Sequence, residues 1–160
     1  LGGITLEVVG VGPGPAENAR GLAIRLTVSP ITVLVLGDLP AAEGTLAAAR
    51  AGPVDVLVAS HHGSRDGFTP ELLALAGAST VVISAGMDNP HCHPAPELLA
   101  WLADERVLLT GAAGLGPDGR CPGLAESMGP EHLLVAGDLL LVGDPAAASH
   151  AQLHHVTGGR

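Results

Sequence analysis

VDVLVASHHGSRDGFTPELL, residues 54–73, changes character twice within a short span. Residues 54–60 form an apolar, β-branched run that reads as a strand. The run breaks at His61-His62-Gly63-Ser64, and a helix then opens with Thr69 as N-cap, Pro70 at the first helical position and Glu71 in the first turn. The unit repeats in kind downstream. STVVISAG (79–86) reads as a strand, PAPELLAWLADE (94–105) as a helix and RVLLTG (106–111) as another strand. Strand, helix, strand, helix, strand implies parallel pairing with right-handed crossovers.

Upstream of this unit lie three β-branched runs, 4–11, 22–28 and 31–37, separated by GPGPAENARG and by Ser29-Pro30. The short Ser29-Pro30 turn makes them antiparallel. PAAEGTLAAARAG (40–52) is Ala-rich and helical, closed by Gly52-Pro53. The expected fold is therefore α/β: a mixed sheet in which N-terminal antiparallel strands precede a βαβαβ unit, with helices packed on the sheet. At 160 residues the chain is one domain with a sizeable core. Its composition is 47% hydrophobic but 1% aromatic, so Leu, Val, Ile and Ala must build that core, and the spacing of Trp101 with Leu98, Leu99 and Leu102 places the tryptophan in it. After residue 111 the pattern loosens into a loop, then HLLVAGDLLLVGD (132–144) reads as a terminal hairpin with Asp138 at a turn or edge, and 145–160 as a frayed tail holding His150, His154 and His155.

A net charge of −9 opposes loose attraction to nucleic acid, which needs Lys and Arg against phosphates, so a polyanionic substrate requires a metal or a local basic patch. Cys92 and Cys121 are too few for a disulfide scaffold and lack a zinc-ribbon spacing. No apolar run approaches a membrane span. The start at Leu1 suggests a piece of a longer chain or a processed product.

Three strands end in abrupt polar insertions: ITVLVLGD at Asp38, VDVLVASHHGS at His61 and His62, and STVVISAGMDNPHCH at Asn89, His91 and His93. Ligands of open sheets gather beyond the carboxyl ends of strands. If these strands are parallel neighbours, the three insertions share one edge. Carboxylate with imidazole suits zinc, manganese or iron. Adjacent residues of an extended chain point to opposite faces, so one of His61 and His62 ligates and the other meets the substrate or supports a ligand. Ser64 and Arg65, just ahead of the helix, are placed to hold an anionic group.

At these residues the sequence resembles the second half of the metallo-β-lactamase-fold domain of ComEC-type competence proteins and their stand-alone relatives. The resemblance runs through VLVLGDL, DVLVASHHGSRDGFTPELL, STVVISAGMDNPHCHPAPELL and RVLLTGAAG, roughly residues 4–114, and leaves 115–160 as loop, terminal hairpin and tail. It implies an αββα-type half fold and a divalent metal, zinc or manganese. Asp38 matches the metal-bridging aspartate, His61 or His62 the histidine ligand, and His93 with Pro94 the histidine that faces the scissile phosphate. Asn89 joins the catalytic set, and Asn18 matches an asparagine that shapes the approach to the site. The pattern has Ser where Gly21 stands and Tyr-Gly where His91-Cys92 stand. The fold's His-x-His-x-Asp-His motif is absent, for residues 1–37 contain no histidine. Asp38, one of the paired histidines and His93 give at most three ligands, too few for a dinuclear centre.

What the resemblance implies is therefore part of a metal-dependent hydrolase, its activated water attacking a phosphodiester. The substrate would be single-stranded DNA during uptake. The partners would be the missing N-terminal half of the domain and the channel portion of a bacterial cytoplasmic-membrane protein, with the domain on the outer face or, alternatively, in the cytoplasm. The isolated chain should itself be nearly inactive. Two other readings remain: a degenerate structural or interaction domain, and a stand-alone hydrolase of small esters.

Overall fold

The computed structural model describes residues 3–15, 20–86, 89–111, 121, 123–135, 138–143 and 151–156. Seven strands form one sheet in sequence order: β1 (Ile4–Val11), β2 (Leu22–Val28), β3 (Ile31–Val35), β4 (Val56–Val58), β5 (Thr80–Ile83), β6 (Arg106–Leu109) and β7 (His132–Leu134). β1, β2 and β3 pair antiparallel, and every pair from β3 to β7 is parallel. Three helices fill the crossovers: α1 (Ala41–Ala51), α2 (Pro70–Ala76) and α3 (Pro96–Trp101). The mixed α/β architecture is the one read from the sequence.

One face of the sheet meets the helices. Leu34, Leu57, Val81 and Val107 are register partners across β3 to β6, and all are buried. Against them pack Ala47, Ala48 and Ala51 of α1, Leu72 and Ala76 of α2, and Leu98 and Leu99 of α3. Small alanines let α1 lie close to the strands, and burying each leucine contributes about 1.5–3 kcal/mol. Thr69 caps α2 as its sequence foretells, its hydroxyl accepting from the Leu72 amide at 3.1 Å. His132 anchors the start of β7. Its Nδ1 accepts from Gly129 N–H at 2.9 Å and its Nε2 donates to the Leu102 carbonyl at 2.8 Å, so this buried ring is fully satisfied.

The opposite face is also apolar. Leu6, Leu26, Val33 and Val56 lie in one register row, and Val8, Ile24, Val35, Val58 and Val82 in the next. Ile31, Val33 and Val56 are buried there, whereas Ile4, Leu6 and Val8 are exposed by 72%, 61% and 54%. Solvated antiparallel strands ordinarily alternate apolar with polar residues, and β1 instead presents its apolar row to water.

Three expectations change. Residues 132–134 join the main sheet parallel to β6, and β8 (Asp138–Gly143) pairs antiparallel with β9 (Ala151–Val156), so the terminal pair is built one segment later than expected. The pairing draws part of the expected frayed tail into a strand, with His154 and His155 in β9. Trp101 is 45% exposed rather than core. It ends a helix of only six residues, whose buried face is already filled by Leu98 and Leu99. Trp101 instead lines a groove of about 340 Å³ with Leu73, Ala78 and Glu105. Among the described residues no helix is long and apolar enough to cross a membrane.

Candidate active site

Because β3, β4 and β5 are parallel neighbours, the three polar insertions do meet at one edge of the sheet. Main-chain bonds stitch them together. The His61 amide donates to the Gly37 carbonyl at 2.8 Å, which ties the histidine turn to the loop bearing Asp38. The Ser60 hydroxyl donates to the carbonyls of Gly37 and Leu39. On the other side the Ala95 amide donates to the Gly63 carbonyl at 2.8 Å. A Cβ on Gly63 would lie 2.7 Å from Pro94 Cβ, and Gly63 holds φ at +79°. Only glycine meets both conditions, which is why the His-His-Gly and His-Pro segments can interlock.

His61 and His62 are not extended. They lie at φ 48°, ψ 44° and φ 57°, ψ 25°, in a tight turn over residues 60–63. The expectation that they face opposite sides rested on strand geometry, which ends at Val58. Both rings instead lie within one cluster, their centroids 6.4 Å apart, with His61 5.7 Å from His93 and His93 5.7 Å from His91. Three non-glycine residues adopt positive φ among the described residues, His61, His62 and Cys92, and all belong to this cluster. Such backbone is uncommon outside glycine and concentrates at functional sites.

His62 is oriented through one of its nitrogens. Nδ1 lies 2.8 Å from the Ser84 carbonyl, which only accepts, so Nδ1 carries the proton. Nε2, the other ring nitrogen, sits 3.7 Å from Asp38 Oδ1. That is too long for a hydrogen bond. It lies within a few tenths of an ångström of the roughly 3.3–3.4 Å that separates two donors on one tetrahedral ion at metal–ligand distances near 2.0–2.1 Å. A histidine whose Nδ1 is fixed by a carbonyl while Nε2 faces out is arranged as metal-binding histidines are. The donor chemistry thus fits a divalent ion between Asp38 and His62. Among the described residues no three His, Cys, Asp or Glu side chains already converge on one point.

His93 is held from both sides of its peptide unit. Asn89 Oδ1 accepts from the His93 amide at 2.8 Å, and Asn89 Nδ2 donates to the His93 carbonyl at 2.9 Å and to the Gly86 carbonyl at 2.7 Å. Asn89 therefore positions the loop, with both ends of its amide engaged. Partial burial, and then the neighbouring imidazoles of His61, His91 and His62, keep the pKa of His93 below the ordinary histidine value.

Over 79 residues, 49% of its length, the chain is 32% identical to Recombination protein 2 of Haemophilus influenzae. The match spans 10% of that protein's length. No family model matches the chain.

The remaining expected residues fall as follows. Ser64 is buried, and its hydroxyl accepts from the Asp66 amide at 3.3 Å, capping the short turn over 65–67. Arg65 is exposed and pairs with Glu97 of α3. Both are thus engaged by the protein itself. Asn18 lies outside the described residues. The sequence reading missed one covalent link, a disulfide between Cys92 and Cys121 with Cα atoms 5.4 Å apart. The two cysteines are 29 residues apart, and nothing in that spacing announces the bond. It pins the loop between His91 and His93. Cys92 takes φ 57°, the left-handed region, at the place where the resembling pattern has glycine.

Proposed function

We propose that this edge is one wall of a metal-dependent phosphodiester hydrolase of the metallo-β-lactamase superfamily, acting on DNA in uptake. The observation that carries the reading is the Asp38–His62 pair, a carboxylate oxygen and an oriented imidazole nitrogen 3.7 Å apart at the carboxyl ends of adjacent parallel strands. The likeness to Recombination protein 2 supports it, as does the spacing of His-His-Gly-Ser and His-Pro.

In this reading Asp38 and His62 hold the ion, with His61 beside them. Zinc or manganese held there would supply Lewis acidity toward a phosphoryl oxygen and would make water acidic enough to attack near neutral pH. His93, its pKa lowered by partial burial and the neighbouring imidazoles, faces the scissile phosphate in this reading, and Asn89 fixes the main chain that carries it. With a net charge of −9, the ion and the missing wall must offset repulsion of the polyanion. That wall would be the segment bearing His-x-His-x-Asp-His. Its own sheet would cover the apolar row Ile4, Leu6 and Val8, since packed sheets bury such faces against each other. The parent would be a bacterial membrane protein with this domain on the outer face beside its channel portion.

The test is hydrolysis of single-stranded DNA by the full-length parent with Mn²⁺ or Zn²⁺, wild type against Asp38→Asn. The expected result is a loss of about two orders of magnitude or more, in line with what disrupting a metal site costs. An unchanged rate contradicts the reading. The 160-residue chain alone should bind the ion weakly and show no turnover.

A further inference from the structure

Cys92 stands between His91 and His93 with φ at 57°, in the left-handed region. L residues avoid that region because Cβ crowds the following carbonyl oxygen. Something must therefore hold Cys92 there, and the bond to Cys121 is placed to do so. The Cys121 end is firm. Cys121 is buried, and Leu124, just beyond it, lies in the main core with Leu98 and Leu99 of α3. The Ser127 hydroxyl donates to the Gly123 carbonyl at 2.6 Å and closes the turn that follows. The Cys92 end is a half-exposed loop residue beside the exposed His91. The bond thus runs from the core to the middle of a histidine tripeptide.

Other contacts of the loop act on its far side. Asn89 bonds the main chain of His93, and Gly63 packs against Pro94, whereas the disulfide acts on Cys92 itself. The bond from the His93 amide to Asn89 Oδ1 spans Cys92, so it depends on the path the chain takes there. Glycine would adopt the left-handed path whether or not a disulfide was present. With cysteine in that place, the path is conditional on the bond.

We propose that the Cys92–Cys121 disulfide is a redox latch on this edge of the sheet: formed, it holds the His91-Cys92-His93 loop in its observed path, and broken, it lets Cys92 leave the left-handed region and the loop open. The latch opens by thiol–disulfide exchange with a dithiol. One thiolate of the reductant attacks Cys92 Sγ, the more accessible sulfur, and Cys121 leaves as a thiolate that takes up a proton. The second thiol then attacks the mixed disulfide, releasing Cys92 as a thiol and the reductant as its own disulfide. Two electrons and two protons pass to the cysteines, and a disulfide-bearing oxidant reverses the exchange. An oxidising compartment keeps the latch shut. That this confines activity to the outer face rests on the hydrolase reading, whereas the response of the loop does not.

The experiment follows hydrogen exchange at the His93 amide of the 160-residue chain, without metal, with the β5 amides as internal reference for an intact fold. The forms compared are oxidised wild type, wild type in dithiothreitol, Cys92→Ser with Cys121→Ser, and Cys92→Gly with Cys121→Ser. Thiol counting comes first, and two free thiols in the oxidised chain overturn the proposal. The expected result is exchange roughly 5–30-fold faster after reduction and in the serine pair, the factor by which left-handed backbone is disfavoured. The glycine variant should exchange slowly in either medium. A rate unchanged by reduction overturns the proposal. So does a glycine variant as fast as the serine pair, for the bond would then act only as a staple on the loop. In the full-length parent with Mn²⁺, hydrolysis of single-stranded DNA should follow the same order, lowered in the serine pair and restored in the glycine variant. Equal hydrolysis by those two variants overturns the latch and, where wild type turns over, leaves the hydrolase reading standing. Absence of hydrolysis in every form removes that reading, and the exchange rates alone then decide the latch.

Discussion

Replacing Gly63 by alanine tests the interlock on which the cluster depends. Two costs add. At φ +79° an L side chain enters the left-handed region, which costs about 1–2 kcal/mol. The new Cβ would also lie 2.7 Å from Pro94 Cβ and 3.0 Å from Ile83 Cγ2, so Pro94 must retreat by several tenths of an ångström. Ile83 is buried in the core and cannot yield freely, and overpacking of this kind costs about 1–3 kcal/mol. The sum is about 2–5 kcal/mol. Gly77 provides the control: it caps α2 at φ 53°, ψ 27°, and an added Cβ there meets nothing closer than 3.8 Å. Gly77→Ala should therefore cost only the backbone share, about 1–2 kcal/mol. Urea denaturation of the two variants beside wild type separates the contributions. If Gly63→Ala costs no more than Gly77→Ala, the contact with Pro94 is not what makes glycine necessary, and the interlock argument fails.

Reducing the Cys92–Cys121 bond, or changing Cys121 to serine, opens a loop of 29 residues and should cost about 3.5 kcal/mol by chain entropy. For a chain of this length that lowers the melting temperature by roughly 7–14 °C, and a melt unchanged by reductant would contradict it. Asn89→Ala removes three hydrogen bonds to main chain and should raise hydrogen exchange at the His93 amide while leaving the β5 amides protected. Equal protection of His93 in variant and wild type would deny Asn89 its positioning role. The lowered pKa of His93 sets a direction for pH. The folded state binds fewer protons than the unfolded chain between the lowered value and 6.5, so this contribution to stability is complete above 6.5 and is lost as pH falls through the folded value. His93→Gln should flatten that part of the denaturation profile between pH 8 and 5, and an identical slope in the variant would refute the assignment.

Much of the sheet was legible because its strands are short β-branched runs punctuated by Gly, Pro and capping residues. The placement of Asp38, the paired histidines and the His91-containing loop on one edge followed from parallel pairing alone. Three things did not follow. The left-handed turn at His61 and His62 contradicts strand alternation, because hydrogen bonds from Ser60 and His61 to Gly37 pull the chain out of extension at that point. Trp101 looked like core by its spacing with leucines, but the helix stops at it and turns no further. The disulfide depends on where the chain brings Cys121 back, which no local pattern encodes. Asn89 was visible as a polar residue of the right loop, yet its work on the main chain of His93 appears only when the loop's path is known.

Whether Asp38 and His62 hold a divalent ion together can be read directly from where such an ion sits on the chain. Mn²⁺ added in substoichiometric amounts to the isotopically labelled chain broadens the resonances of nuclei near it, which maps the ion residue by residue without requiring turnover. If the pair holds the ion, signals of Asp38, His62 and the adjoining Gly37 and Ser84 fade first, and Asp38→Asn abolishes this pattern. Broadening centred elsewhere, or a pattern that survives Asp38→Asn, would contradict it.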